Sequence, residues 1–278
     1  MTINYLEHHR SLEKHQYAVI DRARLPVLPG NWPYLELVSP MLAPQAHLYP
    51  WLIPLHELPT DELNDLMAAL SRHAELHSFP VCSLLLSSTL SLHEVRNVLT
   101  NALYFKDAKH RGYILRYYDP RVLFHLHWML SPWQLFTQLP AQEIPYWTFW
   151  LEGEWHTLEF PGQLFFRPGE AIDFPLEQLQ RCGEINRVFS KLPYSTDMAQ
   201  RQKTSRRIDA LLIQAMQCGL TSQEDRIAFA LHGMTQREAF WHAPKMAAFL
   251  TQARLIPGFY SDETNGWNER RWQDMTQG

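Results

Sequence analysis

The sequence predicts an α/β N-terminal domain, in which helices cover the faces of a mixed sheet, followed by an α-helical C-terminal lobe. Short apolar runs alternate with amphipathic helical patterns through residues 1–171, whereas the pattern is helical from residue 172 onward. The charge balance shifts at the same place. Residues 1–171 hold 12 Lys and Arg against 17 Asp and Glu, and residues 172–278 hold 13 against 12. We therefore expect two domains, 1–171 and 172–278.

The N-terminal domain opens with two apolar runs, 17–20 and 51–55, which are bounded by turn residues and predict buried strands. The next segment carries Asp61 and Glu62 where the first turn of a helix favours carboxylates. Its apolar residues recur at i, i+3, i+4 and i+7, which is the spacing of one helical face. They are Leu63, Leu66, Met67 and Leu70. An amphipathic helix is predicted here.

Strand and helix patterns then alternate once more. Residues 81–86 predict a strand, and Ser91 with Glu94 forms the spacing of a capping box. The helix after it has an apolar stripe of Leu92, Val95, Leu99 and Ala102. Residues 113–118 predict a further strand that ends at Asp119 and Pro120, an N-cap carboxylate followed by proline at the first helical position. The stripe of that helix is Val122, Leu123, Leu126 and Leu130.

This alternation implies crossover connections and hence a largely parallel or mixed sheet. The end of the domain differs, because aromatic residues alternate through 146–150 and a Glu-Gly-Glu turn at 152–154 leads into a second alternating run. We interpret residues 144–160 as an antiparallel hairpin that closes the domain.

The C-terminal lobe is predicted to be helical throughout its ordered part. One stripe, ending near Gly219 as a C-terminal cap, consists of Ile208, Leu211, Leu212, Ala215 and Met216. Ser222 opens a second helix whose apolar residues Ile227, Ala228 and Leu231 stop at Gly233. A last helix runs through Met246, Ala247, Phe249, Leu250 and Ala253. The polar tail 261–278 is predicted to be loosely ordered.

Composition excludes several classes of protein. With 46% hydrophobic and 19% charged residues, the chain is expected to be globular and not disordered. A net charge of -4 argues against a nucleic-acid partner. No signal peptide or membrane-spanning run is found, so we expect a cytoplasmic protein with no membrane partner. Cys82, Cys182 and Cys218 contain no CxxC pair and are expected to be buried free thiols.

Fourteen histidines invite a metal hypothesis, which their spacing does not support. His73 and His77 lie at i, i+4 on a helix but lack the glutamate that follows the first histidine in zinc peptidases. His125 and His127 are two residues apart on a helix, so they point in different directions. Motifs for a nucleophilic serine or cysteine and for a phosphate-binding loop are also missing. We therefore assign no catalytic, cofactor-binding or metal-ligating residue and expect no cofactor.

Two clusters of charged residues are the remaining candidates for a functional site. Arg116, Asp119 and Arg121 surround the predicted strand-to-helix junction, where Asp119 is expected to cap the helix and pair with one of the arginines. A basic run precedes the Ile208 stripe and is either a solvated helix face or a partner-binding patch. It consists of Arg201, Lys203, Arg206 and Arg207. We take Arg201, Arg206 and Arg207 as candidate partner-binding residues.

The segment Leu115-Arg116-Tyr117-Tyr118-Asp119-Pro120-Arg121-Val122-Leu123 resembles the signature of the type VI secretion effector adaptor and chaperone family, whose conserved domain was long catalogued as a domain of unknown function. The runs at 17–21 and 49–55, and the order of elements between them and the signature, are similar to that family over about residues 15–140. Members usually carry phenylalanine where Tyr117 stands. Arg116, Tyr118, Asp119, Pro120 and Arg121 match the motif.

The resemblance implies a non-enzymatic cytoplasmic protein of bacteria that binds a secreted effector and helps load it onto the VgrG or PAAR spike protein. It implies that the motif residues hold the α/β domain together more than they touch the effector. Because the pattern and the charge balance change near residue 171, we expect the C-terminal lobe and the cleft between the two lobes to recognise the effector. The alternative is a small metal-dependent or histidine-using hydrolase of the α/β class. A structural component of the secretion machine would need a self-assembly surface, such as a long heptad seam, which the sequence does not contain.

Overall fold

A computed structural model describes residues 3–276 apart from 24, 26, 29–30, 77–79, 108, 110, 163–173, 194, 196 and 237–238, and for residues 73–76 it describes the backbone alone. The chain divides into two compact units, residues 1–176 and 177–278. The first unit contains strands and helices, and the described part of the second contains helices without strands. The predicted combination of a helix-covered sheet with a helical C-terminal region is therefore confirmed.

Nine strands are described, all in the first unit. They are β1 (Asn4–Tyr5), β2 (Tyr17–Ile20), β3 (Leu35–Glu36), β4 (Trp51–Pro54), β5 (Leu84–Ser87), β6 (Tyr104–Lys106), β7 (Gly112–Ile114), β8 (Tyr146–Leu151) and β9 (Glu154–Glu159). Seven form one sheet in the order β1-β9-β8-β5-β2-β4-β3, and β6 and β7 form a separate two-stranded ribbon. The buried runs predicted from residue 17 and from residue 51 are thus strands of the sheet.

The direction of the strands differs from the largely parallel or mixed sheet that the sequence led us to expect. Every described pairing is antiparallel. β4 and β5 do run in the same direction, as a helical crossover requires, but β2 lies between them and pairs with both. Alternation along the chain fixes the relative direction of the two strands that a helix joins. It does not make them neighbours, and here an earlier strand occupies the middle position.

Four α-helices are described in this unit: α1 (Thr60–Leu76), α2 (Leu92–Ala102), α3 (Pro120–Met129) and α4 (Pro132–Gln138). The capping box of α2 is confirmed, since the Ser91 hydroxyl accepts from the backbone of Glu94 and the Glu94 carboxylate accepts from the backbone of Ser91. α3 begins at Pro120 with Asp119 as its N-cap, as predicted. The strand predicted for 113–118 is wrong in extent, because only 112–114 is extended and it pairs with β6 outside the main sheet.

Helices cover both faces of the sheet. On one face the buried side chains of α1 pack with alternate residues of β2, β4 and β5, namely Ala18, Ile20, Trp51, Ile53 and Leu85. On the other face Trp147 of β8 meets the ring of Tyr117 edge-on at 5.5 Å, and the Tyr117 hydroxyl donates to the Leu99 carbonyl of α2 at 2.8 Å. Residues on both sides of each central strand are therefore buried, which explains their continuous apolar runs.

The predicted hairpin is confirmed as β8 and β9. Its two central turn residues, Glu152 and Gly153, have φ angles of 48° and 98°. Positive φ at both positions is the requirement of a type I′ turn, whose twist matches that of the flanking strands. The adjoining aromatic pair Trp150 and Trp155, directly opposite each other in the ladder, contributes to the buried face below α1.

Seven α-helices are described from residue 176 onward: α5 (Leu176–Gln180), α6 (Cys182–Phe189), α7 (Met198–Gln217), α8 (Gln223–Thr235), α9 (Pro244–Ala253), α10 (Phe259–Asn265) and α11 (Glu269–Thr276). Gly219, with φ of 87°, follows α7 as predicted. The amide of Leu220 bonds to the Ala215 carbonyl and that of Gly219 to the Met216 carbonyl, which is a Schellman motif.

Two expectations for this unit are wrong. α8 does not stop at Gly233 but continues to Thr235, and Gly233 lies inside it as a point of close packing. The tail is helical and not loosely ordered, because Trp272 and Met275 of α11 are buried in an aromatic core with Phe240, Tyr260 and Trp267. Two apolar residues three positions apart were enough to anchor a polar helix. The three cysteines are free thiols as expected, with Cys82 and Cys182 buried and Cys218 partly so.

Within the described part of the chain, no helix combines the length and apolar character that crossing a bilayer requires.

Candidate functional site

The family-like motif lies at the start of α3, where Asp119 is 8% exposed. Its carboxylate accepts from the backbone N–H of Arg121 at 3.0 Å and from the Arg121 guanidinium at both oxygens. Burial alone would raise the pKa of Asp119, but the hydrogen bonds and positive charge of Arg121, with a contribution from the charge of Arg116, hold it below its ordinary value. Pro120 occupies the first helical position, where no backbone donor is needed.

Arg116 does not pair with Asp119. Its guanidinium lies 3.6 Å from the carboxylate of Asp21, directly after β2, and 5.4 Å from the ring centroid of Tyr118. The motif thus joins three parts of the unit: the end of β2 through Arg116, the body of α2 through Tyr117, and the first turn of α3 through Asp119. Because these groups bond to one another, their arrangement fits a junction that stabilises the fold.

The basic residues of α7 do not form one surface. Arg201 is 3% exposed and its guanidinium carbon lies 4.3 Å from the ring centroid of Phe189, so its side chain is not available for a surface contact. Arg206 and Arg207 are exposed, and Arg207 donates to the backbone carbonyl of Gly233 at 3.0 Å. The run therefore combines a buried packing residue with outward-facing ones, which spacing alone did not reveal.

Of the two histidine pairs, His125 and His127 have described side chains, and they make different contacts. His125 is fully buried and its Nδ1 accepts from the indole N–H of Trp128 at 3.1 Å, whereas Nε2 of His127 lies 2.8 Å from the carbonyl of Ile3. Of the other pair, His73 has only its backbone described and His77 lies outside the described residues. No group of three or more potential metal ligands was found among the residues that the structure describes.

A cavity of about 890 Å³ forms a groove over the β5–α2 connection. Its lining includes Arg10, Tyr17, His56, the Ser87–Ser91 stretch, Glu143 and Tyr146. The stretch is held in place from both sides: the Tyr17 hydroxyl donates to the Leu90 carbonyl at 2.5 Å, and the Ser88 hydroxyl donates to the Glu143 carbonyl at 2.7 Å. This groove was not predicted from the sequence.

One pair at this groove has the residue types of a nucleophile and a base. Oγ of Ser87 lies 2.9 Å from Nδ1 of His15, and both residues are buried. Burial, followed by the positive charges of Arg10 and His9, lowers the pKa of His15 to about 3. An imidazole with so low a pKa is a weak base at neutral pH and is poorly suited to remove the serine proton. The geometry alone therefore does not make this pair a catalytic dyad.

Local spacing could not have revealed the groove, because its residues come from positions 10, 16–17, 56, 87–91 and 142–146. The single local signal was the capping box at Ser91, which located the start of α2 but not the cavity beside it.

Comparison with known proteins gives one match. Residues 16–136 match a family described as Domain of unknown function (DUF4123). The matched segment is less than half of the chain and runs from the start of β2 into α4, so it includes the motif at 116–121. No curated protein and no solved structure shows significant similarity to the chain.

Proposed function

We propose that this chain is a non-enzymatic cytoplasmic adaptor that binds an effector of a type VI secretion system and helps load it onto the VgrG or PAAR spike protein. The observation that carries the proposal is the coincidence of two signals on one segment. The family match covers residues 16–136, and the signature-like motif at 115–123 lies within it. The family description itself assigns no activity, so the role comes from the resemblance of the motif.

The chemistry of the described residues supports a binding role over a reactive one. The carboxylate of Asp119 in the motif already pairs with Arg121. Ser87 and His15 have the residue types of a nucleophile and a base, but burial and the charges of Arg10 and His9 lower the pKa of His15 to about 3. We therefore favour the adaptor over the hydrolase. If this pair were catalytic, Ser87→Ala would abolish secretion while the folded variant still bound the effector, and that outcome would favour the hydrolase.

The surface also supports a binding role. The connection from residue 25 to residue 55 contains a single Asp, Glu, Lys or Arg residue, Glu36. Four large apolar side chains in it are exposed: Val27, Tyr34, Met41 and Leu48. Charge depletion together with exposed aromatic and Met side chains is typical of the core of a protein interface.

The test is affinity purification of the full chain from its native cytoplasm, followed by mass spectrometry of the co-purified proteins. The proposal expects one large protein, encoded near a spike gene, at a constant ratio to the chain. Deletion of the chain should then abolish secretion of that protein while the secretion machine continues to fire. Recovery of the chain alone, or secretion that is independent of it, would contradict the adaptor function.

A further inference from the structure

Two cavities lie at the two ends of α2. The groove of about 890 Å³ reaches Ser91, the N-cap of this helix, and a second cavity of about 490 Å³ lies beside its C-terminal half and α4. Gln142 and Glu143 line both of them. We call the pair the α2 groove. Because α2 has 11 residues, its two ends are about 16 Å apart.

The shape of the α2 groove favours an extended chain over a compact ligand. Small-molecule sites are single concave pockets of roughly 300–1,000 Å³ that enclose most of the ligand. Here one cavity lies at the N-cap of α2 and the other beside its C-terminal half, and the two share an exposed lining residue, Gln142. All of the lining residues lie between positions 10 and 146, within the first unit.

The first end of the groove carries a positive charge. The guanidinium carbon of Arg10 lies 4.4 Å from the ring centroid of Tyr146, and the backbone N–H of Arg10 donates to Thr157 Oγ1 at 2.8 Å. These two contacts hold the residue on the hairpin. No described carboxylate lies within ion-pair distance of Arg10, unlike Arg22, Arg116 and Arg121 in the same unit. A carboxylate of a bound partner is the group that complements it.

The other end is aromatic. Tyr104, Trp133 and Phe136 line the second cavity with Leu139 and Pro140, and each of the three aromatic side chains is partly exposed. Partly exposed tryptophan and tyrosine in a concave site are the residue types that most often anchor a protein partner. The one acidic residue of the groove, Glu143, lies at the junction between its two parts. The positive charge of Arg10 thus lies at one end of the groove, and the side chains of Trp133 and Phe136 lie at the other.

We propose that the α2 groove binds an extended segment of the effector, with a carboxylate side chain of that segment against Arg10 and an apolar side chain between Trp133 and Phe136. The proposal rests on the adaptor function proposed above and names the surface that performs it. It places recognition in the first unit, in contrast to the C-terminal lobe that the change of sequence pattern had favoured. A segment is selected when it carries a carboxylate that reaches Arg10 and an apolar side chain that reaches Trp133 and Phe136.

The experiment uses the full chain and the partner that it recovers from the native cytoplasm, identified and purified as a protein. Binding is titrated calorimetrically for the wild type, Arg10→Gln, Arg10→Glu and Phe136→Ala. Loss of a charge-assisted contact should weaken binding by about 10- to 100-fold for Arg10→Gln. Arg10→Glu should weaken it further, because it places like charges together. Arg72→Gln, an exposed arginine on α1 whose contact is to the Ala68 carbonyl, is the matched control and should bind as the wild type does.

A second measurement remains informative if Phe136→Ala fails to fold. A photo-crosslinking amino acid at Gln142, the exposed residue shared by both cavities, should attach to one continuous segment of the partner. The same label at Asp61, exposed on α1, should not attach to that segment.

The two proposals fail in different ways. If the wild type binds the partner, but folded Arg10→Glu binds with the same Kd and Gln142 gives no cross-link, the groove proposal is overturned while the adaptor function stands. If the wild type binds no partner, the adaptor function fails and the groove proposal fails with it. Weakened binding together with a Gln142 cross-link supports both.

Discussion

Gly233 of α8 lies so close to Leu211 of α7 that a Cβ atom at position 233 would be 2.4 Å from Cδ2 of the leucine. Real Cβ contacts are longer, so any side chain at this position would displace the buried leucine. The absence of a Cβ lets the two longest helices of the second unit approach each other. Arg207 adds a hydrogen bond to the Gly233 carbonyl at 3.0 Å.

Gly233→Ala is therefore expected to destabilise the second unit. Helix propensity favours alanine by about 1 kcal/mol, but overpacking of a buried site costs about 1–3 kcal/mol, so a net loss is expected. Gly183→Ala in α6 is the matched control, because a Cβ there would have no neighbour within 4 Å. Thermal unfolding should show a lower Tm for the first variant and an equal or higher Tm for the second. A higher Tm for Gly233→Ala would contradict the packing described.

The capping carboxylate of α3 gives a second prediction. Asp119→Ala removes the N-cap and the ion pair with Arg121, and the cap alone contributes about 0.5–2 kcal/mol. Asp119→Asn keeps a capping oxygen and removes the charge, so its Tm should lie between those of the wild type and the alanine variant. Effector binding should fall only as the folded fraction falls. An unchanged Tm with abolished binding would make Asp119 a contact residue instead.

Local rules predicted the elements of this chain well. The buried runs of β2 and β4, the capping box at Ser91, the N-cap at Asp119 and the type I′ hairpin all depend on residues within a few positions of one another. Each is specified by side-chain size, φ preference or a hydrogen bond that short segments form on their own.

The order of the strands could not be predicted in this way. β2 separates β4 from β5 through contacts that are remote in sequence, and no spacing records them. Burial of charged residues was missed for a similar reason. Arg201 looks like a solvated helix residue in the sequence, yet Phe189 of a preceding helix covers its guanidinium. The α2 groove was missed because its residues, such as Arg10 and Tyr146, are remote in sequence and meet only in the fold.

The edge of the sheet at β3 leads to a third prediction. The amide of Leu37 bonds to the Pro50 carbonyl, so the carbonyls of Glu36 and Val38 point to the opposite, open side. Arg96 of α2 donates to both, at 3.2 Å and 2.9 Å. Its side chain therefore covers the acceptors that a strand from another molecule would need. Covering an edge in this way opposes edge-to-edge association.

Arg96→Ala should expose these two carbonyls and cost about 1–3 kcal/mol in charge-assisted hydrogen bonds. We expect concentration-dependent self-association, measured by sedimentation velocity, together with a lower Tm. Arg72→Ala removes an exposed arginine of α1 that is far in sequence from the strand at the sheet edge. This control variant should keep the wild-type association state and the wild-type Tm. A variant at position 96 that stays monomeric at every concentration would show that another feature protects this edge.

Two buried histidines predict how stability depends on pH. Burial, followed by the charges of Arg10 and His9, lowers the pKa of His15 to about 3, and burial, followed by the charge of Lys191, lowers the pKa of His232 to about 4. Each is about 6.5 in the unfolded chain. As the pH falls below 6.5, the unfolded chain binds protons at these two histidines and the folded chain does not. The free energy of unfolding is therefore highest above pH 6.5 and decreases as the pH falls toward the folded pKa values.

Each histidine should contribute up to about 1.4 kcal/mol of lost stability per pH unit in that window. Urea unfolding between pH 7 and pH 4 measures the slope for the wild type, His15→Gln, His232→Gln and the double variant. Because glutamine does not titrate, each single variant should flatten the curve and the double variant should flatten it most, even where substitution lowers stability at pH 7. His15 and His232 belong to different units, so probes within each unit should assign the two contributions separately. A wild-type curve that is flat between pH 6.5 and pH 4 would mean that water reaches both imidazoles.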